Sequence, residues 1–181
     1  MRTLFLLRHA KSDWDDPNLP DFDRPLALRG RDAAIRMGVY WRQAGLNVDL
    51  VLSSPSMRTR QTLALMEGAN GGPLSAGQPA AFDDQLYLAS PSTLALILEE
   101  LPDDVAHVLL IGHNPGFEET ALALSGSAET GLMAKLHDKF PTGALARIDL
   151  LIARWRDLSL KAGHLALFLR PVDLDVTLPA D

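Results

Sequence analysis

The amino-acid sequence predicts an α/β fold, a single three-layer domain with a mainly parallel central sheet flanked by helices. Three observations predict it. Short apolar runs at Thr3–Leu7, Asp49–Ser53 and His107–Ile111 read as buried strands. Helical patterns alternate with them, which is the signature of strand–helix–strand units around a parallel sheet. The length, 181 residues with 47% hydrophobic and 22% charged side chains, suits one core-bearing domain spanning 1–181.

The elements follow in chain order. Thr3–Leu7 is a continuous apolar run, so a strand buried on both faces. Residues 11–29 form an irregular stretch with Pro17, Pro20 and Pro25 among several aspartates, longer than most loops and therefore expected to be functional or disordered. Residues 31–44 place Ala33, Ala34, Met37, Tyr40, Trp41 and Ala44 on one helical face, and Gly45 sits where a helix-terminating glycine belongs. Asp49–Ser53 is the second strand. Ser54-Pro55 reads as an N-cap with proline at the first helical position, opening a helix to about Glu67. Residues 68–81, GANGGPLSAGQPAA, read as a surface loop. Ser90-Pro91 repeats the helix-start signal, for a helix to about Leu101. His107–Ile111 is the third strand, and a helix is expected over Gly116–Leu124. Two further strands are expected at Ala144–Leu150 and Leu165–Leu169.

Composition narrows the function. The chain has no cysteine, which removes disulfides, thiol nucleophiles and cysteine-ligated metals. A net charge of −6 disfavours a nucleic-acid partner. The N-terminal apolar run is too short for a signal peptide, and no stretch is long and apolar enough for a membrane span, so a cytoplasmic protein with no membrane partner is expected. No histidine pair has metal-ligand spacing, and neither a phosphate-binding glycine loop nor a nucleophilic-serine elbow is present, so neither metal nor cofactor is expected. His107, His137 and His164 read as structural or surface residues.

In a parallel sheet, sites form outside the carboxyl ends of the strands. The first strand is followed by Arg8-His9, the second by Ser53-Ser54-Pro55 with Arg58 close behind, the third by Gly112-His113-Asn114-Pro115-Gly116. Two imidazoles and two guanidiniums at converging strand ends suit a phosphoryl group. Arginine pairs bidentately with phosphate oxygens and keeps its charge. Histidine attacks through a ring nitrogen. Phosphoryl transfer needs mainly in-line positioning and positive charge around the equatorial oxygens.

These same segments carry a resemblance. FLLRHAKS (5–12), DRPLALRG (23–30), LSSPSMRTRQT (52–62), LLIGHNPG (109–116) and FPTGALARIDL (140–150) resemble, in order, the motifs of the histidine phosphatase superfamily, whose fold is phosphoglycerate mutase-like. The short chain and the RHAKS opening are similar to the SixA-type branch, whose activity is protein phosphohistidine phosphatase. The resemblance implies His9 as nucleophile, with Arg8, Arg58 and His113 in a phosphate pocket. It chooses Arg58 over Arg60; two residues along a helix turn a side chain by roughly 200°, so both cannot face one pocket. Lys11, Ser12, Arg24, Asn114 and Thr142 are the candidate substrate contacts.

Two departures from the family pattern stand out. Ala10 replaces the usual glycine after the histidine. The stretch DDQLYLASP (83–91), where many members carry a carboxylate acid, has Tyr87 near the expected place, with Asp83 and Asp84 close in sequence. An aspartate of the 13–23 segment is the other source of an acid. The expected function is hydrolysis of a phosphoryl group through a phosphohistidine enzyme intermediate, on a phosphohistidine protein. The rivals are a phosphomonoesterase acting on a small phosphorylated metabolite and a non-catalytic phospho-ligand binding module.

Overall fold

The computed structural model describes residues 1–68, 72–74 and 80–174. In chain order it contains β1 (Arg2–Arg8), α1 (Leu28–Gln43), β2 (Leu50–Ser53), α2 (Met57–Gly68), β3 (Ala81–Phe82), α3 (Pro91–Glu99), β4 (His107–Gly112), α4 (Gly116–Leu124), β5 (Ser125–Ala128), α5 (Leu132–Asp138), β6 (Leu145–Leu150) and β7 (Gly163–Leu169). The strands form one seven-stranded sheet in the order β3-β2-β4-β1-β6-β7-β5. β1 pairs in parallel with β4, β4 with β2, β2 with β3, and β5 with β7; only β6 runs against its neighbours. The sheet is therefore mainly parallel.

Two cores lie on opposite faces of this sheet, because successive strand side chains point to opposite sides. Leu4 and Leu6 of β1 pack with Leu94 and Leu98 of α3, Phe117 and Ala121 of α4, and Leu136 of α5. Phe5 and Leu7, one residue out of phase, pack with Met37 and Trp41 of α1 and Leu63 and Met66 of α2. Helices thus cover both faces, completing the three layers. Both sides of β1 being apolar explains its unbroken hydrophobic run.

Several expectations shift. α1 starts at Leu28, three residues early, and Gly30 lies in its first turn. A Cβ on Gly30 would stand 2.1 Å from the Lys11 carbonyl oxygen, so this glycine lets α1 pack directly on the segment after His9. α2 starts at Met57, so Ser54-Pro55 is not its cap. Ser54 instead continues the strand end, its N–H donating to the Ile111 carbonyl. Ser90 does cap α3, accepting from the Thr93 N–H with Pro91 next in line. Most of the 68–81 loop lies outside the described residues, and Ala81 belongs to the short edge strand β3. The polar segment β5 and the seven-residue α5 were not expected; pairing with β7 and the burial of Leu136 hold them. Among the described residues no helix is long and apolar enough to cross a membrane.

Candidate active site

The parallel register brings three strand ends side by side. Arg8 pairs with Gly112, and Ser53 with Ile111, so His9, Ser54 and His113 are the first residues beyond neighbouring strands. His9 is fixed from both sides. Its N–H donates to the Gly112 carbonyl at 3.0 Å, and its carbonyl accepts from the Gly143 N–H at 2.9 Å. Gly143 makes that contact from a left-handed conformation, φ 78°, in the turn entering β6. Ala10 is fully buried, and its N–H donates to Thr62 Oγ1 at 3.0 Å. Its backbone is not left-handed, so alanine fits where the family pattern has glycine.

The His9 ring is oriented by one bond. Nδ1 lies 2.7 Å from the Ala10 carbonyl oxygen, which can only accept, so Nδ1 carries the proton and Nε2 presents a lone pair. Burial, reinforced by the Arg58 and Arg8 charges, lowers the His9 pKa to about 4. The ring is therefore neutral near pH 7, the state a nitrogen nucleophile needs.

His113 lies with its ring centroid 5.1 Å from that of His9. Arg58 Nη2 donates to its Nδ1 at 3.3 Å, which leaves the Nε2–H to donate to Ser54 Oγ at 2.9 Å. Burial, then His9 and Arg58, lower its pKa to about 3. Arg58 is buried and also donates from Nη2 to Asp21 Oδ2 at 2.9 Å. Asp21 sits on a 3-10 turn, Asp21–Asp23, of the long irregular segment. It accepts a second bond from the Tyr87 hydroxyl at 2.7 Å. Burial would raise the Asp21 pKa, but the hydrogen bonds from Tyr87 and Arg58 and the Arg58 charge outweigh it and hold the carboxyl below its ordinary value. Burial and Asp21 push the Tyr87 phenol up. The Tyr87 ring meets His113 edge-on, centroids 5.3 Å apart.

A cavity of about 490 Å³ opens over these groups. His9, Arg8, Arg58 and His113 all line it, as do Lys11, Ser12, Asn114 and Thr142. Arg8 donates to the Phe140 carbonyl at 2.7 Å, and burial lowers its pKa. Asn114 is held by bonds from its Nδ2 to Glu118 and to the Phe140 carbonyl. Arg24 is not among the lining residues. It stacks over Trp14 at 4.1 Å and donates to the Asp16 carbonyl, so it braces the irregular segment from behind while Trp14 lines the cavity. Arg60 turns outward onto Phe82, as the helical turn requires.

Asp21 is the only carboxylate lining the cavity among the described residues. Asp83 is spent accepting from the Gln85 N–H. The Ser54-Pro55 pattern suggests a helix cap, but Ser54 is the hydrogen-bond partner of His113. The other histidines lie elsewhere; His164 bonds Ser127 and Glu129. Among the described residues no cluster of three or more His, Asp or Glu could hold a metal ion.

The arrangement offers a free imidazole nitrogen beside two guanidiniums, a setting for an anionic electrophile. Comparison with known proteins gives the family. A family model of the histidine phosphatase superfamily (branch 1) matches residues 4–85. A solved structure from Agrobacterium tumefaciens, described as a candidate phosphohistidine phosphatase SixA, is 34% identical with a TM-score of 0.75, covering 94% of this chain and 98% of that one. Another so described, from Nakamurella, is 30% identical with a TM-score of 0.77, covering 94% and 96%. An uncharacterised protein of Mycobacterium leprae is 32% identical over 90% of this chain and 98% of its own length.

Proposed function

The chain belongs to the histidine phosphatase superfamily, in its SixA-type branch, and from that premise we propose that it hydrolyses phosphohistidine on a protein substrate through a phosphoryl group carried on His9. His9 Nε2 attacks phosphorus in line, forming a P–N bond as the bond to the substrate imidazole breaks. The departing nitrogen leaves as neutral imidazole after taking a proton from solvent. Water then attacks the phosphorus of phospho-His9. The second P–N bond breaks, inorganic phosphate leaves and Nε2 is free again. Arg8 and Arg58 supply the positive charge for the equatorial oxygens. Their charges also disfavour protonation of His9 and His113.

The observation that carries the choice of phosphohistidine is the state of Asp21. Among the described residues, the one carboxylate lining the cavity is ion-paired with Arg58 and held as an anion. An alkyl phosphate ester needs a proton donor at its leaving oxygen. A phosphohistidine nitrogen can be protonated without a placed enzyme acid. The relatives described as SixA support the same substrate class.

The test is to incubate the protein with a phosphohistidine-bearing phosphocarrier, and separately with an aryl phosphate, quench rapidly and map acid-labile phosphate. Label on His9 with faster turnover of the phosphocarrier is expected. Label from the aryl phosphate alone moves the substrate to small esters. Full activity in His9→Ala would refute the nucleophile, and phosphate binding without turnover of either compound would leave a binding module.

A further inference from the structure

We infer that a cationic groove adjoining the catalytic cavity docks an acidic segment of the phosphorylated protein, an inference that rests on the phosphohistidine reading above. The groove has a volume of about 540 Å³ and shares Arg8, Lys11 and Thr142 with the catalytic cavity, so the two are continuous. Among the described residues its remaining cations are Arg29 in the first turn of α1, Lys139 after α5, and Arg170 after β7, and Asp138 is its one carboxylate.

The charge of this groove opposes that of the chain. Arg170 is neutralised by Asp173 at 2.9 Å. Lys11, Arg29 and Lys139 make no side-chain hydrogen bond or ion pair among the described residues. In a protein of net charge −6 they form a local positive rim. More distant carboxylates are largely screened beyond about 8 Å at physiological ionic strength. Unpaired cations around a concavity attract and orient an anionic partner.

Size and floor argue for a polypeptide. The catalytic cavity alone has room for a phosphoryl group on an imidazole ring, since pockets of roughly 300–1,000 Å³ enclose whole small ligands. The groove is a second space of similar size, reached from the same Arg8. Its floor is apolar, built from Ala33, Pro141 and Pro171 with exposed Val172 at the rim. Apolar floor and cationic rim together fit a chain carrying carboxylates beside aliphatic side chains.

Two synthetic phosphohistidine peptides test this, identical except that glutamates flanking the phosphohistidine in one are glutamines in the other. A small phosphoramidate serves as reference. The enzyme should prefer the glutamate peptide by roughly tenfold in kcat/KM, a preference that fades with added salt. The exposed pair Arg29→Glu and Lys139→Glu should abolish it while phosphoramidate turnover is unchanged. Equal turnover of both peptides overturns the inference, and so does an equal loss on phosphoramidate in the variant. If neither peptide nor phosphoramidate is hydrolysed, the phosphohistidine reading fails. Binding of a fluorescent unphosphorylated glutamate peptide then decides the groove separately. Binding lost in the double variant upholds it, and no binding to the parent refutes it.

Discussion

Replacing His9 by asparagine should make the protein more resistant to acid. The asparagine amide can still donate to the Ala10 carbonyl as the Nδ1–H does, so the local fold is kept. What disappears is a buried base held neutral, with its pKa lowered from 6.5 to about 4. Between those two values the unfolded chain binds a proton at this position and the folded chain does not, so stability falls as pH falls. At pH 7 the effect is well under half a kcal/mol; at pH 4.5 it reaches roughly 2–3 kcal/mol, taking 1.36 kcal/mol per pKa unit. Urea unfolding of both proteins at pH 7 and pH 4.5 reads the difference. Relative to the parent, His9→Asn should gain roughly 2–3 kcal/mol on going to the lower pH. Stability curves that stay parallel across this range would refute the claim that the folded protein keeps His9 unprotonated.

Further predictions separate neighbouring roles. Arg58→Ala should lower kcat/KM by at least about 100-fold, the scale of losing a key charge at a transferring phosphoryl group, whereas Arg60→Ala, whose side chain stacks on Phe82, should stay within about twofold. Ser54→Ala removes the acceptor of the His113 Nε2–H and should cost about fivefold in kcat, with circular dichroism unchanged. Asp21→Asn withdraws a negative charge from Arg58, so inorganic phosphate should inhibit roughly fivefold more tightly; weaker inhibition would show that Asp21 helps build the anion seat.

The strands, most helices and the convergence of His9, Arg58 and His113 were legible in the sequence, because continuous apolar runs mark buried parallel strands and chemistry collects at their carboxyl ends. What escaped depended on contacts distant along the chain. A serine before proline satisfies the local pattern of a helix cap, and only the β2–β4 register turns Ser54 toward His113 instead. In a segment with several aspartates no local rule selects Asp21; its distinction is the reach of Arg58 and Tyr87. Arg24 was a reasonable phosphate contact by charge, but the nearby Trp14 ring takes its guanidinium. β5 is too polar to read as a strand and exists by pairing with β7 at the edge of the sheet.

His9, the proposed nucleophile, directly follows the middle strand of the sheet, its amide bonded to the Gly112 carbonyl, while Trp14, Asp21 and Leu88 sit on connecting segments. Amide-exchange protection divides along such lines, with connecting segments opening far more often than central strands. Warming or mild denaturant will therefore release the walls of the cavity well before it displaces the imidazole. On the proposed function, discrimination between substrates should be lost first, while turnover of a small phosphoramidate should persist until the sheet itself unfolds.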